Sequence, residues 1–140
     1  MTNDRNDWNT KVIAEFRANA GKVAQFGAMP LLLLHHTGAK SGKAYVNPLA
    51  YLPTGNAMAI FASKGGAPSN PDWYHNLVAN PDVQVEVNGQ PAVAAKARVA
   101  EGEERERLYR EQVSLVPVFG EYETKTKDTR QIPVIVIEPV

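Results

Sequence analysis

The segment DVQVEV, residues 82–87, alternates polar and apolar side chains without a break, and Asn88-Gly89 follows at once. Successive side chains of an extended chain point to opposite sides, so Val83, Val85 and Val87 share one face. An Asn-Gly pair after such a run is a strong signal for a tight hairpin turn. PAVAAKARVA, residues 91–100, therefore returns as the antiparallel partner. Pairing of consecutive strands is the rule against which the other segments are read.

MPLLLLHHT, from Met29, is a short apolar run suited to a buried strand, although leucine alone does not decide strand over helix. AYVNPLAYLP follows a glycine-bearing turn, and its internal Pro48 marks an edge or a bulge. PTGN is a turn, AMAIFAS is the next strand, and the β-branched run IPVIVIEPV is the last. Three helices are expected between and before them. Asn6 to Phe26 carries Trp8, Val12, Phe16, Ala20 and Val23 at spacings of three and four, with Asn3 or Asp4 as cap. A second helix starts at Asn70-Pro71 and ends near Ala79, ahead of Asn80-Pro81. The charged stretch Glu101 to Arg110 is the third.

The order is helix, three strands, helix, two strands, helix, strand. The fold class this predicts is α+β: a mainly antiparallel split β-barrel of about six strands with flanking helices. The 140 residues suit a single domain over 1–140, an amphipathic helix in 1–28 leading into a barrel core in 29–140. A dinucleotide-binding sheet is disfavoured, because no Gly-x-Gly-x-x-Gly follows a strand and the elements do not alternate β and α.

Charge narrows the function. Fifteen basic residues balance fifteen acidic ones, so there is no general affinity for nucleic acid or anionic lipid, and any recognition by charge is local. The absence of cysteine excludes disulfides, thiolate catalysis and Cys-ligated metal. No apolar run reaches the roughly 18 residues of a membrane span, and the charged start MTNDRNDWNTK is unlike a signal peptide. A cytoplasmic location is the expectation. The first helix either packs on the domain or serves as an amphipathic arm touching the inner face of a membrane.

Two local cation clusters stand out. TGAKSGKA sets Lys40, Ser41 and Lys43 in a turn with Gly42, but the spacing is wrong for an NTPase phosphate loop. SKGG ends the neighbouring strand with Ser63, Lys64, Gly65 and Gly66, where bare backbone lets a ligand approach. The helix at Pro71 adds its positive end. Together they suggest an acidic small molecule; the plainer reading is two solvated turns. Trp73 and Tyr74 offer a stacking ring or a core anchor. His35 and His36 face opposite ways and His75 has no ligand spacing, so metal is not expected. Phe119 and Tyr122 share a helical face, lining a pocket or capping the barrel.

These motifs, Thr37-Gly-x-Lys-Ser-Gly42, Asn47-Pro48-Leu49, Ser63-Lys64-Gly65-Gly66, Asn70-Pro-Asp-Trp-Tyr74 and Asn80-Pro-Asp-Val83, resemble in order and separation the deazaflavin-dependent nitroreductase family. The resemblance implies a split barrel binding coenzyme F420, whose phosphate and oligoglutamate tail are anionic. It implies a binding surface of Ala39, Lys40, Ser41, Gly42, Lys43, Tyr45, Val46, Asn47 and Pro48. Phe61, Ala62, Ser63, Lys64, Gly65 and Gly66 would continue it, with Asp72, Trp73, Tyr74, His75 and Asn76 around the ring. It implies Tyr122 and Ser63 as catalytic residues, and Phe119 with Tyr122 as substrate contacts. Arginines common in the family are replaced by Ala39 and Tyr45, and pocket tyrosines by Ala50, Phe119 and Lys125.

The expected function is hydride transfer from reduced F420 to an electrophile such as a quinone, an enone or a nitroaromatic. Two alternatives stay open: an oxidoreductase using FMN on the same barrel, and a non-catalytic F420 carrier. A small-molecule electron acceptor is the expected partner, nucleic acid is not, and split barrels commonly form homodimers.

Overall fold

The structure, a computed structural model, describes residues 4–27 and 29–140, with the backbone alone for residues 4–7. The elements are α1 (Asp4–Ala18), β1 (Leu31–Thr37), β2 (Ala44–Ala50), β3 (Leu52–Thr54), β4 (Ala57–Phe61), α2 (Asp72–Ala79), β5 (Asp82–Val87), β6 (Val93–Val99), α3 (Gly102–Leu115), α4 (Val118–Thr126) and β7 (Val134–Pro139). All strand pairs are antiparallel, in the order β2-β1-β5-β6-β7-β4-β3. The two edge strands are consecutive in sequence and separated by Tyr51 alone. A sheet with edges tethered by one residue must curl until they meet, which is the split barrel.

Tyr51 is also why seven strands replace the expected six. AYVNPLAYLP reads as one strand, but its first half pairs with β1 and its second half with β4. The hairpin of β5 and β6 is as expected, with Asp82 opposite Lys96 and Val85 opposite Val93. Asn88 and Gly89 have φ of 55° and 73°, the left-handed pair such a turn requires.

Alternation divides the sheet between two sides. On the inner one, Leu32, Leu34, Ile60, Val85, Ile135 and Ile137 form a core with Trp73 and Leu77 of α2. On the other, Phe61, Val134 and Val136 pack under Leu108 and Tyr109 of α3. Further round that side, Leu31 and Leu33 receive Val12 and Phe16 of α1.

The first helix stops at Ala18 instead of running to Phe26. Ala20 and Gly21 take φ of 54° and 90°, which no right-handed helix accommodates, and Gly21 N–H turns back to the Phe16 carbonyl at 2.8 Å. A cause is visible in the hairpin tip: a Cβ on Gly89 would fall 2.6 Å from Ala20 Cα. The chain then makes a 3-10 turn over Ala24–Phe26, where Phe26 meets Trp8 edge-on at 5.9 Å. Asn3, the alternative cap, lies outside the described residues. The docked helix is further held by Arg17, which donates to Glu86 at 2.7 Å; His35 meets the same carboxylate at 2.5 Å. Those contacts, Arg17 first, hold the Glu86 carboxyl below its usual range against the opposing effect of burial.

Candidate active site

The β1–β2 turn is built around a hydrogen-bonded relay. Gly38 N–H donates to the Lys43 carbonyl at 2.8 Å, and Lys43 N–H to Ser41 Oγ at 3.2 Å. Ala39 N–H donates to Oδ1 of the buried Asn76 at 2.8 Å. That bond fixes the Asn76 amide, so its Nδ2 donates to His36 Nδ1, 3.1 Å away. His36 then carries its proton on Nε2 and donates to Asn47 Oδ1 at 2.7 Å. Burial draws the His36 pKa below its ordinary value, against the Asn47 bond that favours the charged form, so the ring is neutral. Tyr45 stacks on His36 with centroids 5.7 Å apart. Lys40, Ser41, Gly42 and Lys43 are left exposed on the turn.

The second turn follows β4. Ser63 is right-handed at φ −74°, while Lys64, Gly65 and Gly66 have φ of 47°, 64° and 84°. A right-to-left change of hand turns successive N–H groups toward one point, a concavity suited to an anion. A Cβ on Gly65 would meet nothing within 4 Å, whereas one on Gly66 would lie 2.8 Å from Lys125 Cδ and 3.4 Å from Tyr122 Cδ1. Gly66 is thus the floor on which α4 rests, and Gly65 faces open space. Lys64 Nζ reaches Ser69 Oγ at 3.4 Å and is otherwise solvated.

Arg130, which motif reading missed, secures that turn. Its guanidinium donates to the carbonyls of Ala62 (3.0 Å), Ser63 (2.9 Å) and Ala67 (2.9 and 3.1 Å), and to Asn70 Oδ1 (2.7 Å). All four acceptors are neutral. Burial pulls the Arg130 pKa down from its usual value. Asn70 lies two residues ahead of α2 and Asn76 inside it, so one short segment anchors both cationic turns.

Aromatic side chains form a wall beside the second turn. Phe61 meets Tyr109 at 5.8 Å and Phe119 at 5.7 Å, and Phe119 meets Tyr122 at 5.3 Å, all edge-to-face. Tyr109 is fully buried, its hydroxyl donating to the Phe119 carbonyl at 2.7 Å, and burial pushes its pKa up to about 12. It props α4. Tyr122 is only half-buried, and the expected shared face of Phe119 and Tyr122 is what α4 presents.

Several expected contacts are already committed to packing. Trp73 is core, which answers the choice between Trp73 and Tyr74, and Tyr74 is half-buried. Ala62 is fully buried, Pro48 is buried, and Val46 packs toward α1. Phe61 lies beneath Phe119, and Asn76 acts on the relay. Asp72 and His75 stay exposed at the start of α2. A cavity of about 780 Å³ opens next to Tyr74, but Glu101, Glu103 and Glu106 line it, the wrong sign for an anionic ligand. Among the described residues no three-membered group could hold a metal ion, and no helix is long and apolar enough to cross a membrane.

Sequence and structure comparisons agree with one another. The family model for the F420H(2)-dependent quinone reductase matches residues 8–139. A F420H(2)-dependent quinone reductase of Mycobacterium tuberculosis (strain ATCC 25618 / H37Rv) is 38% identical over 128 residues, 89% of this chain and 85% of the relative. A solved F420-H2 dependent reductase, FDR-A, aligns with TM-score 0.70 and 43% identity over 78% of this chain and 94% of its own. A protein solved as a domain-swapped dimer aligns at TM-score 0.71 and 37% identity, over 96% and 100% of the two chains.

Proposed function

The chain belongs to the F420H(2)-dependent quinone reductase family, and from that premise we propose that it is an oxidoreductase moving hydride from reduced coenzyme F420 to a quinone. When bound, the deazaflavin supplies the hydride; the protein binds, orients and excludes water. Enones and nitroaromatics share the electrophilic character of a quinone and are further acceptors in this reading.

The observation that carries the site assignment is the Ser63–Gly66 turn. Its change of hand, its lysine and its open Gly65 lie next to an aromatic wall ending in Tyr122. Lys40, Ser41, Lys43 and Lys64 hold the phosphate and the acidic tail, with backbone N–H groups adding donors. Phe119 flanks the acceptor, and the Tyr122 hydroxyl orients it or delivers the proton that accompanies hydride. Ser63 contacts the ring or the acceptor. Two guanidinium groups of the family are missing at Ala39 and Tyr45, and Lys43 takes over as a point charge.

Fluorescence titration with oxidised F420, and with FMN in parallel, tests the cofactor. Preferential F420 binding weakened by Lys64→Ala is the expected result; preference for FMN would overturn it. Tyr122→Phe should leave F420 affinity within about twofold and lower turnover about tenfold or more. Tight F420 binding without turnover across quinone, enone and nitroaromatic acceptors would instead mark a carrier.

A homodimer is supported by the likeness to the neighbour solved as a domain-swapped dimer; a monomer mass in light scattering would refute it. The protein acts in the cytoplasm in this reading. Exposed Trp8 on α1 is the side chain that would reach a membrane's inner face, and failure to sediment with vesicles would rule that out.

A further inference from the structure

The Ser63–Ala67 turn is strained in isolation. Lys64 is not glycine, and its φ of 47° costs about 1–2 kcal/mol for an L-residue. Something must hold it: within the turn, the Gly66 N–H bond to the Ser63 carbonyl at 2.9 Å orients the Ser63–Lys64 peptide, but no bond of the turn orients the Ala62–Ser63 peptide. Arg130 orients that peptide through the Ala62 carbonyl and, as a second donor to the Ser63 carbonyl, gathers both on one side. Carbonyl and N–H point oppositely across a planar trans peptide, and the chain has no cis bond among the described residues. The N–H groups of Ser63 and Lys64 are therefore aimed away from Arg130, and neither has an acceptor among the described residues.

The backbone of the same residue reaches toward Tyr122. The Arg130 main-chain N–H donates to the Thr126 carbonyl at 2.9 Å, and the buried Thr126 hydroxyl donates to the Tyr122 carbonyl at 3.0 Å. One residue thus joins the donor turn after β4, through its side chain, to the end of the helix carrying Tyr122, through its backbone. No carboxylate is among its acceptors, so its positive charge stands uncompensated behind the turn.

We propose that Arg130 is a positioning residue of this site: by holding three carbonyls and Asn70 it aims the Ser63 and Lys64 N–H groups, and adds an unneutralised charge, toward an anionic part of the ligand. The role rests on the F420 reading given above and adds to it a residue that contacts no ligand. Lysine keeps the charge but lacks the planar fork for four acceptors, so charge and geometry separate in the two variants Arg130→Gln and Arg130→Lys.

Oxidised F420 is titrated into wild type and both variants, with thermal unfolding recorded alongside and each titration repeated in a Lys64→Ala background. Affinity is expected to fall about ten- to hundredfold in R130Q and about tenfold in R130K, both remaining folded. Lys64→Ala, which weakens wild type, should have less than about a twofold effect in R130Q, because the disordered turn no longer delivers that group. A purely structural residue would lower the melting temperature, leave the affinity of the folded fraction unchanged and give additive effects. That result would overturn the proposal, as would R130K binding like wild type should R130Q not fold. Absence of F420 binding by wild type would instead remove the functional reading on which this role depends.

Discussion

Asn76→Asp isolates the relay that shapes the β1–β2 turn. In the native protein Ala39 N–H commits Asn76 Oδ1, so Nδ2 meets His36 Nδ1 as donor and His36 is held neutral. Its folded pKa is below the ordinary 6.5. The unfolded chain therefore takes the proton first, and this group costs stability as pH falls from about 6.5 toward the folded value. If the folded ring stays unprotonated to pH 5.5, the loss from 6.5 to 5.5 is about 1 kcal/mol. A carboxylate at position 76 still accepts from Ala39, but it places a second acceptor against His36 Nδ1. Only the imidazolium donates to that carboxylate and to Asn47 Oδ1 at once, since the neutral ring has a single N–H for two acceptors, so the folded pKa rises above the unfolded one. Stability from that contact is then present below about pH 6.5 and lost as pH rises through the folded pKa.

The variant should consequently be the weaker protein at about pH 8, by about 1–3 kcal/mol for an unmet buried acceptor. Its deficit should shrink by at least about 1 kcal/mol on going to about pH 5.5. Urea denaturation of both proteins at about pH 8, 6.5 and 5.5 supplies the difference, from which groups common to both, Glu86 included, drop out. A deficit independent of pH would mean that the His36 ring does not feel residue 76, and the relay as derived would be wrong.

Gly66→Ala forces an L-residue to φ 84° against Lys125 Cδ at 2.8 Å. The lysine stem can move but the backbone cannot, so a loss of about 1–2 kcal/mol in chemical denaturation is expected; a neutral result would refute the tight seat of α4. Phe16→Ala, at a fully buried position, should cost about 3–5 kcal/mol, whereas Arg17→Ala should cost less than about 1 kcal/mol, since Arg17 is half-exposed. Comparable losses would mean that the ion pair, and not apolar packing, holds α1.

Strand positions were legible wherever alternation or a turn pair recorded them, as in 82–100. The division of 44–53 was not, because Tyr51 carries no breaker; what ends β2 is the need to cross from one sheet edge to the other. Likewise Ala20 gives no local hint of a positive φ, which follows from the arrival of Gly89 some 70 residues later in sequence. Of the site, the two cationic turns and Tyr122 were visible as motifs. His36 was visible only as a residue type and Asn76 only as a ring contact implied by the resemblance, while the relay joins them across 40 positions. Arg130 had no signal beyond being an arginine in a polar turn, for its partners lie 60 or more residues away. Spacing rules describe neighbours on one element, and both of these features join different ones.

Three of the four partners of the Arg130 guanidinium are main-chain oxygens. A brace of that kind is indifferent to the side chains of the segment it holds. Ser63, Lys64 and Ala67 are therefore free to drift by point mutation while the path of the chain is retained, so ligand preference can evolve on a preserved frame. Asn70 and Arg130 have no such latitude, because the brace is made of their own side chains. In a lineage of such proteins, innovation would collect at the first three positions and restraint at the last two.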